Sequence, residues 1–218
     1  MSVTYYAIED SSAWVEATAN ALVADIRAAL AEQGEVLVAV AGGRTPEPIL
    51  ARLALSDLPW ERVTFVPTDD RLVPEDHPAR NAALLRRALA PAMGAGACVE
   101  SLEDLLGSVA PDAVLLGFGA DGHIASLFPQ AEGIQAALAL DGRADLARIR
   151  PVPLPPEAPF ERITLTLKAL LAPRHILIAA AGAAKAATYQ NAQSGVTDTP
   201  LAVLLAQDQT PVSAYIRR

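Results

Sequence analysis

Apolar residues fall in short blocks along this chain, and stretches with helical spacing alternate with them. Trp14, Ala17, Ala21 and Leu22 recur on one helical face, Asp10 or Ser11 offers a cap and Gly34 a stop, which predicts a helix running to Gln33. Val36 to Ala41 follows as an apolar strand, then Gly42-Gly43-Arg44-Thr45-Pro46 and a helix from about Pro46 to Leu55, because proline suits a first helical turn. Arg62 to Thr68 predicts the next strand, ahead of a polar loop and a helix near Asn81 to Leu89. Ala113 to Leu116, Arg162 to Thr166 and Ile176 to Ala181 predict three more strands. Gly182-Ala-Ala-Lys185 opens a further helix, and Val203 to Leu205 and Val212 to Ile216 predict closing strands. Such alternation implies an α/β fold: a largely parallel sheet with helices on both faces. There is no internal repeat. Pro151 to Pro159, with five prolines, reads as an extended crossing segment inside a single domain spanning 1–218.

Composition narrows the function classes. With 218 residues, 52% of them hydrophobic, the chain has material for a real core. A net charge of −8 argues against nucleic acid as a partner. Cys98 is the sole cysteine, so no internal disulfide and no metal-binding cysteine pair is expected. Neither a signal-peptide pattern nor an apolar run of about 18 residues is present, so the expected compartment is the cytoplasm, with no membrane partner.

The candidate chemistry collects where strands end. Asp112-Ala-Val-Leu-Leu-Gly-Phe-Gly-Ala-Asp-Gly-His-Ile-Ala-Ser-Leu-Phe-Pro129 begins as a buried strand and empties into a glycine-punctuated loop. That loop presents His123. An unperturbed imidazole titrates near about 6.5, so a histidine placed here can take a proton from water as a general base. Asp121 can orient the ring or hydrogen-bond the loop. Gly117 to Gly122 also matches G-x-G-x-x-G, but Pro129 follows too soon for the long helix and second strand a dinucleotide site needs, so no nicotinamide cofactor is expected.

Three other strand ends add polar groups. Gly42-Gly43-Arg44-Thr45 precedes a helix and offers amides, a hydroxyl and a guanidinium as an anion or sugar-hydroxyl cradle. Thr68-Asp69-Asp70-Arg71 sets two carboxylates beside a cation. Lys185 stands in the first turn of a helix, where an anionic ligand would offset its conflict with the helix dipole. His77 is expected in an exposed loop and His175 in a structural place at a strand start. The three histidines have no metal-ligand spacing and Ser126 lacks a G-x-S-x-G elbow, so neither a metal nor a serine nucleophile is expected.

Together these segments resemble the 6-phosphogluconolactonases, the sugar-phosphate lactonases of the oxidative pentose phosphate pathway, within the glucosamine-6-phosphate isomerase/6-phosphogluconolactonase family. The pieces that carry the resemblance run in order over nearly the whole chain: Ala41-Gly-Gly-Arg-Thr-Pro46, Pro67-Thr-Asp-Asp-Arg-Leu-Val-Pro74, Asn81, Leu115 to Pro129, Arg162-Ile-Thr-Leu-Thr166 and Gly182-Ala-Ala-Lys-Ala186. The D-G-H-x-A-S-L-F-P stretch is the specific one. The resemblance implies a Rossmann-like three-layer fold with a mostly parallel central sheet, and a hydrolase of 6-phospho-D-glucono-1,5-lactone that uses no metal or cofactor. It makes His123 the base, with Asp69 and Asp121 in the catalytic group. Gly42, Gly43, Arg44, Thr45, Arg71, Asn81, Gly119, Ser126 and Lys185 form the implied substrate-binding set, Arg71 and Lys185 holding the phosphate. The expected partner is a small sugar-phosphate lactone, and the expected assembly a monomer or weak homo-oligomer.

The chain departs from the family pattern at three places: Arg80 stands before Asn81 where serine is usual, Asp70 replaces glutamate, and 154–156 lacks a lysine. A glucosamine-6-phosphate deaminase would continue its D-G-H turn with Asn-Glu-Pro, whereas this chain continues to Ser126-Leu127-Phe128-Pro129 with no acid. A non-catalytic sugar-phosphate sensor would need a DNA-binding module, for which no basic helix-turn-helix segment is present.

Overall fold

The computed structural model describes residues 3–105, 109–152 and 159–218. The segments predicted from apolar blocks supply most of its elements. Helix α1 (Ser11–Gln33) starts where Asp10 accepts a hydrogen bond from the Ala13 amide at 2.7 Å, and stops at Gly34, whose φ of 88° suits glycine. Its buried face is Trp14, Thr18, Ala19, Leu22, Val23, Ile26 and Leu30. Ala17 and Ala21 sit at the edge of that face and are only partly covered, because the longer side chains set the contact line.

Seven strands form the main sheet: β1 (Val3–Ile8), β2 (Val36–Val40), β3 (Val63–Pro67), β5 (Cys98–Val99), β6 (Ala113–Leu116), β9 (Ile176–Ala181) and β10 (Val212–Arg217). Their order is β1-β10-β9-β6-β2-β3-β5, and every neighbouring pair is parallel. Alternation along the strands sends residues to two cores. Val38, Val40, Ala113 and Leu115 pack under α1, α2 (Glu47–Leu53), α3 (Asn81–Ala88) and α4 (Ala90–Gly94). Ala39, Val114 and Leu116 face α5 (Ile134–Leu138), α6 (Leu167–Leu170), α7 (Ala183–Gln193) and α8 (Pro200–Ala206). Two helical layers therefore enclose the sheet, an α/β three-layer arrangement.

Several sequence expectations change. Arg162 to Thr166 is a strand, β8 (Arg162–Leu165), but it lies in a separate three-stranded antiparallel sheet, order β4-β8-β7, with β4 (Asp69–Arg71) and β7 (Leu146–Ile149). A short run buried on every side reads alike for either sheet, so its pattern could not distinguish them. β4 takes the first residues of the predicted polar loop. Val203 to Leu205 is not a strand but part of α8: Thr199 caps that helix, Pro200 occupies its first turn, and Leu201, Leu204 and Leu205 are buried at helical spacing. β1, β5 and β7 were not anticipated; β1 and β7 are half-covered and β5 has two residues, so none carries a strong apolar signal. His77 is partly covered rather than exposed, its ring edge-on to Phe160 and its Nδ1 accepting from the Ala79 amide. Most of the proline-rich crossing segment, including 154–156, lies outside the described residues. No helix among the described residues is long and apolar enough to cross a membrane.

Two polar groups, one half-buried and one fully buried, tie the layers together. At the amino edge of the sheet His175 bridges Asp25 of α1 at 3.0 Å and Ser213 of β10 at 2.9 Å. Ser213 is enclosed on its strand beneath α1, so this Ser-His-Asp chain fastens helix to sheet. Asp70, fully buried, accepts from the amides of Asn81 (2.7 Å), Arg71 (2.7 Å) and Ala82 (3.0 Å), and so caps α3 from a neighbouring strand. Burial raises its pKa against the pull of those three amides and of Arg80. Asp70→Ala leaves the first amides of α3 unpaired, and the expected cost is about 3 kcal/mol in urea unfolding; a loss below about 1 kcal/mol would refute the capping role.

Candidate active site at the carboxyl edge of the sheet

Four adjacent strands, β9-β6-β2-β3, release their chains at one edge, and a cleft of about 190 Å³ lies there. In a parallel sheet all carboxyl ends point the same way, which is why loops far apart in sequence meet. The cleft is lined by Gly42, Gly43, Arg44 and Thr45 after β2, Asp69, Arg71 and Asn81 beyond β3, His123 and Ala125 after β6, and Lys185 after β9. Ala41 and Ala179 to Ala181 complete the wall, and their small side chains leave the space open.

The β6 loop is folded around glycines. Gly119 donates its amide to the His123 carbonyl at 2.8 Å, and a bridge joins Phe118 to Ile124. A Cβ on Gly119 would stand 2.1 Å from His123 Nδ1 and 2.3 Å from Asp121 Oδ1, so this residue must be glycine for those two to meet. They meet at 2.6 Å. The hydrogen bond from His123 holds the Asp121 pKa below the usual carboxylate range, outweighing partial burial. A carboxylate accepting at Nδ1 favours the tautomer with the proton on Nδ1, in which Nε2 is the nitrogen with the free lone pair. Phe128 packs against the His123 ring at a centroid distance of 4.4 Å and fixes its tilt. Ala125 adopts φ of 47°, an uncommon conformation for a residue with a side chain.

Asp69 joins this loop to the second sheet. Its Oδ2 accepts from Ser126 Oγ at 2.5 Å, while the Ser126 amide donates to Thr164 Oγ1 at 3.2 Å, and Thr164 is the direct partner of Asp69 in the β4–β8 pair. Ser126 is buried and outside the cleft lining; it holds Asp69. Gly119 and Asp121 also lie behind the lining and act through the placement of His123.

The cationic side is built similarly. Arg71 Nη1 donates to the Ala79 carbonyl (2.8 Å) and Asn81 Oδ1 (2.7 Å), while Asn81 Nδ2 donates to the Asp69 carbonyl (2.7 Å). Asn81 lies so close to Gly42 that a Cβ there would be 2.2 Å from its Oδ1. Arg71 Nε is buried with no hydrogen-bond partner, a donor suited to an anion. Lys185 donates to the Phe118 carbonyl and rides over the Phe118 ring at 5.3 Å. Burial lowers its pKa, with the Asp121 charge opposing. Arg44 is exposed at the rim. Arg80, by contrast, is buried against Glu103 (2.7 Å) and the Arg71 carbonyl (2.8 Å), away from the lining. Sequence reasoning passed over Thr164, Ala125, Phe118 and Phe128. The alternation of Asp69-x-Arg71 against Arg162-x-Thr164 is the signal that would have placed Thr164.

Lys185, Arg71 with its buried unpartnered Nε, and a histidine on a carboxylate thus surround one small polar cleft, a geometry for holding an anion and removing a proton beside it. Comparison with known proteins agrees in kind. Residues 9–213 match the family model described as glucosamine-6-phosphate isomerases/6-phosphogluconolactonase. The 6-phosphogluconolactonase of Pseudomonas putida is 32% identical, the match covering 94% of this chain and 90% of that protein. That of Pseudomonas aeruginosa is 35% identical over 88% of this chain and 82% of its own. The crystal structure of a 6-phosphogluconolactonase from Shewanella baltica superposes with a TM-score of 0.86 at 26% identity, covering 100% of this chain and 98% of that one. This chain belongs to the glucosamine-6-phosphate isomerase/6-phosphogluconolactonase family.

Proposed function

We propose that the protein hydrolyses 6-phospho-D-glucono-1,5-lactone to 6-phospho-D-gluconate, with His123 as general base. The observation that carries this reading is the 2.6 Å His123–Asp121 pair opening on the same cleft as Arg71 and Lys185. A δ-lactone is an activated ester, so a positioned water and a base suffice for attack. His123 Nε2 takes a proton from water as the water oxygen bonds to C1. The tetrahedral oxyanion collapses, the C1–ring-oxygen bond breaks, and the imidazolium returns the proton to that oxygen. Asp121 stabilises the imidazolium in between, a role its low pKa suits. The Gly42 and Gly43 amides and the nearby cations are the available oxyanion donors. Arg71 and Lys185 hold the phosphate, with Arg44 at the rim. The deaminase alternative is disfavoured because Ala125-Ser126-Leu127-Phe128 offers no carboxylate after His123.

The test is hydrolysis of the lactone generated in situ, against an enzyme-free blank because the substrate opens spontaneously. Acceleration over the blank is expected, and its absence would sink this reading. Lys185→Met removes one phosphate ligand remote from the reacting carbon; KM is expected to rise roughly 10- to 100-fold with kcat changed much less. A fall in kcat alone would move Lys185 from binding to chemistry.

A further inference from the structure

Arg80 enters neither the cleft lining nor the mechanism above, yet it is a charged residue only 6% exposed. It stands at the N-cap of α3, where its side chain makes no capping bond and Asp70 takes the Asn81 and Ala82 amides instead. Glu103 at 2.7 Å and Asp70 at 3.9 Å match its charge within the chain. Its effect is therefore one of position, and it lies in the direction of Nη1. That nitrogen has two hydrogens and two acceptors: Glu103 Oε1 at 2.7 Å and the Arg71 carbonyl at 2.8 Å.

The register of β4 makes that carbonyl important. The Leu165 amide donates to the Thr68 carbonyl and the Leu72 amide to the Glu161 carbonyl, so the hydrogen-bonded positions of this antiparallel pair are 68, 70 and 72. Arg71, between them, turns its amide and carbonyl away from β8. Its amide goes to the Asp70 carboxylate, and its carbonyl to the Val73 amide and to Arg80. Asp70 and Val73 are near neighbours along the chain, so Arg80 adds the tie from another element. The arrangement is reciprocal. Arg71 Nη1 grips the Ala79 carbonyl and the Asn81 side chain, on either side of Arg80, while Arg80 grips the Arg71 main chain. Two arginines thus lock β4 to the start of α3, and the lock leaves Arg71 Nε unpartnered beside the cleft.

We propose that Arg80 is a positioning residue for anion binding: held by Glu103, it fixes the main chain of Arg71 and so the place from which that guanidinium grips the substrate phosphate. This rests on the phosphate reading of Arg71. Glu103 lies in the turn Leu102–Asp104, outside the cleft lining, with its side chain partly exposed. The anchor of the phosphate grip therefore reaches the protein surface at a point the substrate does not touch.

The experiment compares wild type, Arg80→Ser, Arg71→Met and the double variant as full chains, each checked for folding by circular dichroism. Inorganic phosphate binding is measured by calorimetry, and KM and kcat by lactone hydrolysis, all per folded molecule. Serine is a favoured N-cap, so Arg80→Ser removes the guanidinium while leaving the start of α3 capped. Its phosphate affinity is expected to fall about tenfold and its KM to rise about as much, with kcat within about twofold, because the group displaced binds rather than reacts. In the Arg71→Met background the same substitution should change affinity by less than about twofold, since the side chain it positions is gone. Equal losses in both backgrounds, or none in either, would overturn the proposal, since a merely structural residue weakens both alike. Should Arg80→Ser fail to fold, Glu103→Ala decides: phosphate affinity is expected to fall about threefold, and an unchanged value would refute the role. Loss in Arg71→Met with none in Arg80→Ser removes this proposal alone, whereas phosphate affinity untouched by Arg71→Met removes the phosphate reading and this proposal together. No turnover enters the calorimetry, so failure of the lactonase assay leaves it intact.

Discussion

His123→Ala is expected to lower kcat for lactone hydrolysis by about 10²- to 10⁴-fold, towards the spontaneous rate, with KM nearly unchanged. The loop should keep its shape, because the backbone hydrogen bonds that hold it do not use the imidazole. The Gly119 amide meets the His123 carbonyl, the Leu201 amide meets the Gly122 carbonyl, and Ser126 is held by Asp69. What disappears is the imidazole that lines the cleft beside the cations. Asp121→Asn should cost less, since the amide can still hold the ring but no longer stabilises its charged form. The pH profile separates the two residues. A carboxyl whose pKa is lowered by its partner titrates below its ordinary value, and so is ionised at about pH 5 and above. Loss of activity on acidification that sets in above about pH 5 is therefore not protonation of Asp121. Stopped assays of the three proteins between pH 5 and 8, each against its blank, decide the matter. Retention of wild-type kcat in His123→Ala would overturn the base assignment.

Gly119→Ala is the second large effect, and it tests geometry without removing a functional group. The φ of Gly119 lies outside the left-handed range, so alanine meets no backbone penalty there. The penalty is contact alone, at 2.1 Å from Nδ1 and 2.3 Å from the Asp121 carboxylate. The Asp121 side chain is 53% exposed and can swing into solvent, so the pair should part while the sheet beneath stays folded. A kcat loss of about 10²-fold or more is expected, because the base is misplaced by about an ångström. The melting temperature should move by only a few degrees. Activity near wild type would mean that the His123–Asp121 contact is dispensable. A collapse in stability with activity intact per folded molecule would assign Gly119 to the fold instead.

Much of this site is legible because strand ends announce themselves. Apolar runs such as Ala113 to Leu116 and Ile176 to Ala181 are long enough to mark buried strands, and the glycines after them mark loops where backbone must turn or come close. A parallel sheet delivers the residues that follow those runs to one edge, where Gly42, Arg71, His123 and Lys185 line a single cleft. The sequence could not show which of two adjacent carboxylates looks where. Asp69 turns to the cleft and Asp70 into the α3 amides because alternation along β4 separates them, and β4 is too short and too polar to read as a strand.

Local chemistry therefore determined the helix caps at Asp10 and Gly34, the strands with continuous apolar runs, and the glycine loop around His123. Those features depend on residues within a few positions of one another, which is the range over which sequence pattern carries information. Others depend on partners far along the chain: Ser126 and Asp69 are 57 positions apart, and Arg71 and Arg162 are 91 apart. The helical state of 200–206 could be read from Thr199, Pro200 and the spacing of its leucines, but its packing against Gly122 came only with the fold. The second sheet, the bond from Ser126 to Asp69, and the opposition of Arg71 to Arg162 came only with tertiary structure. Each joins groups whose spacing along the chain says nothing of their distance in space, and only the pairing of β4 with β8 makes them neighbours.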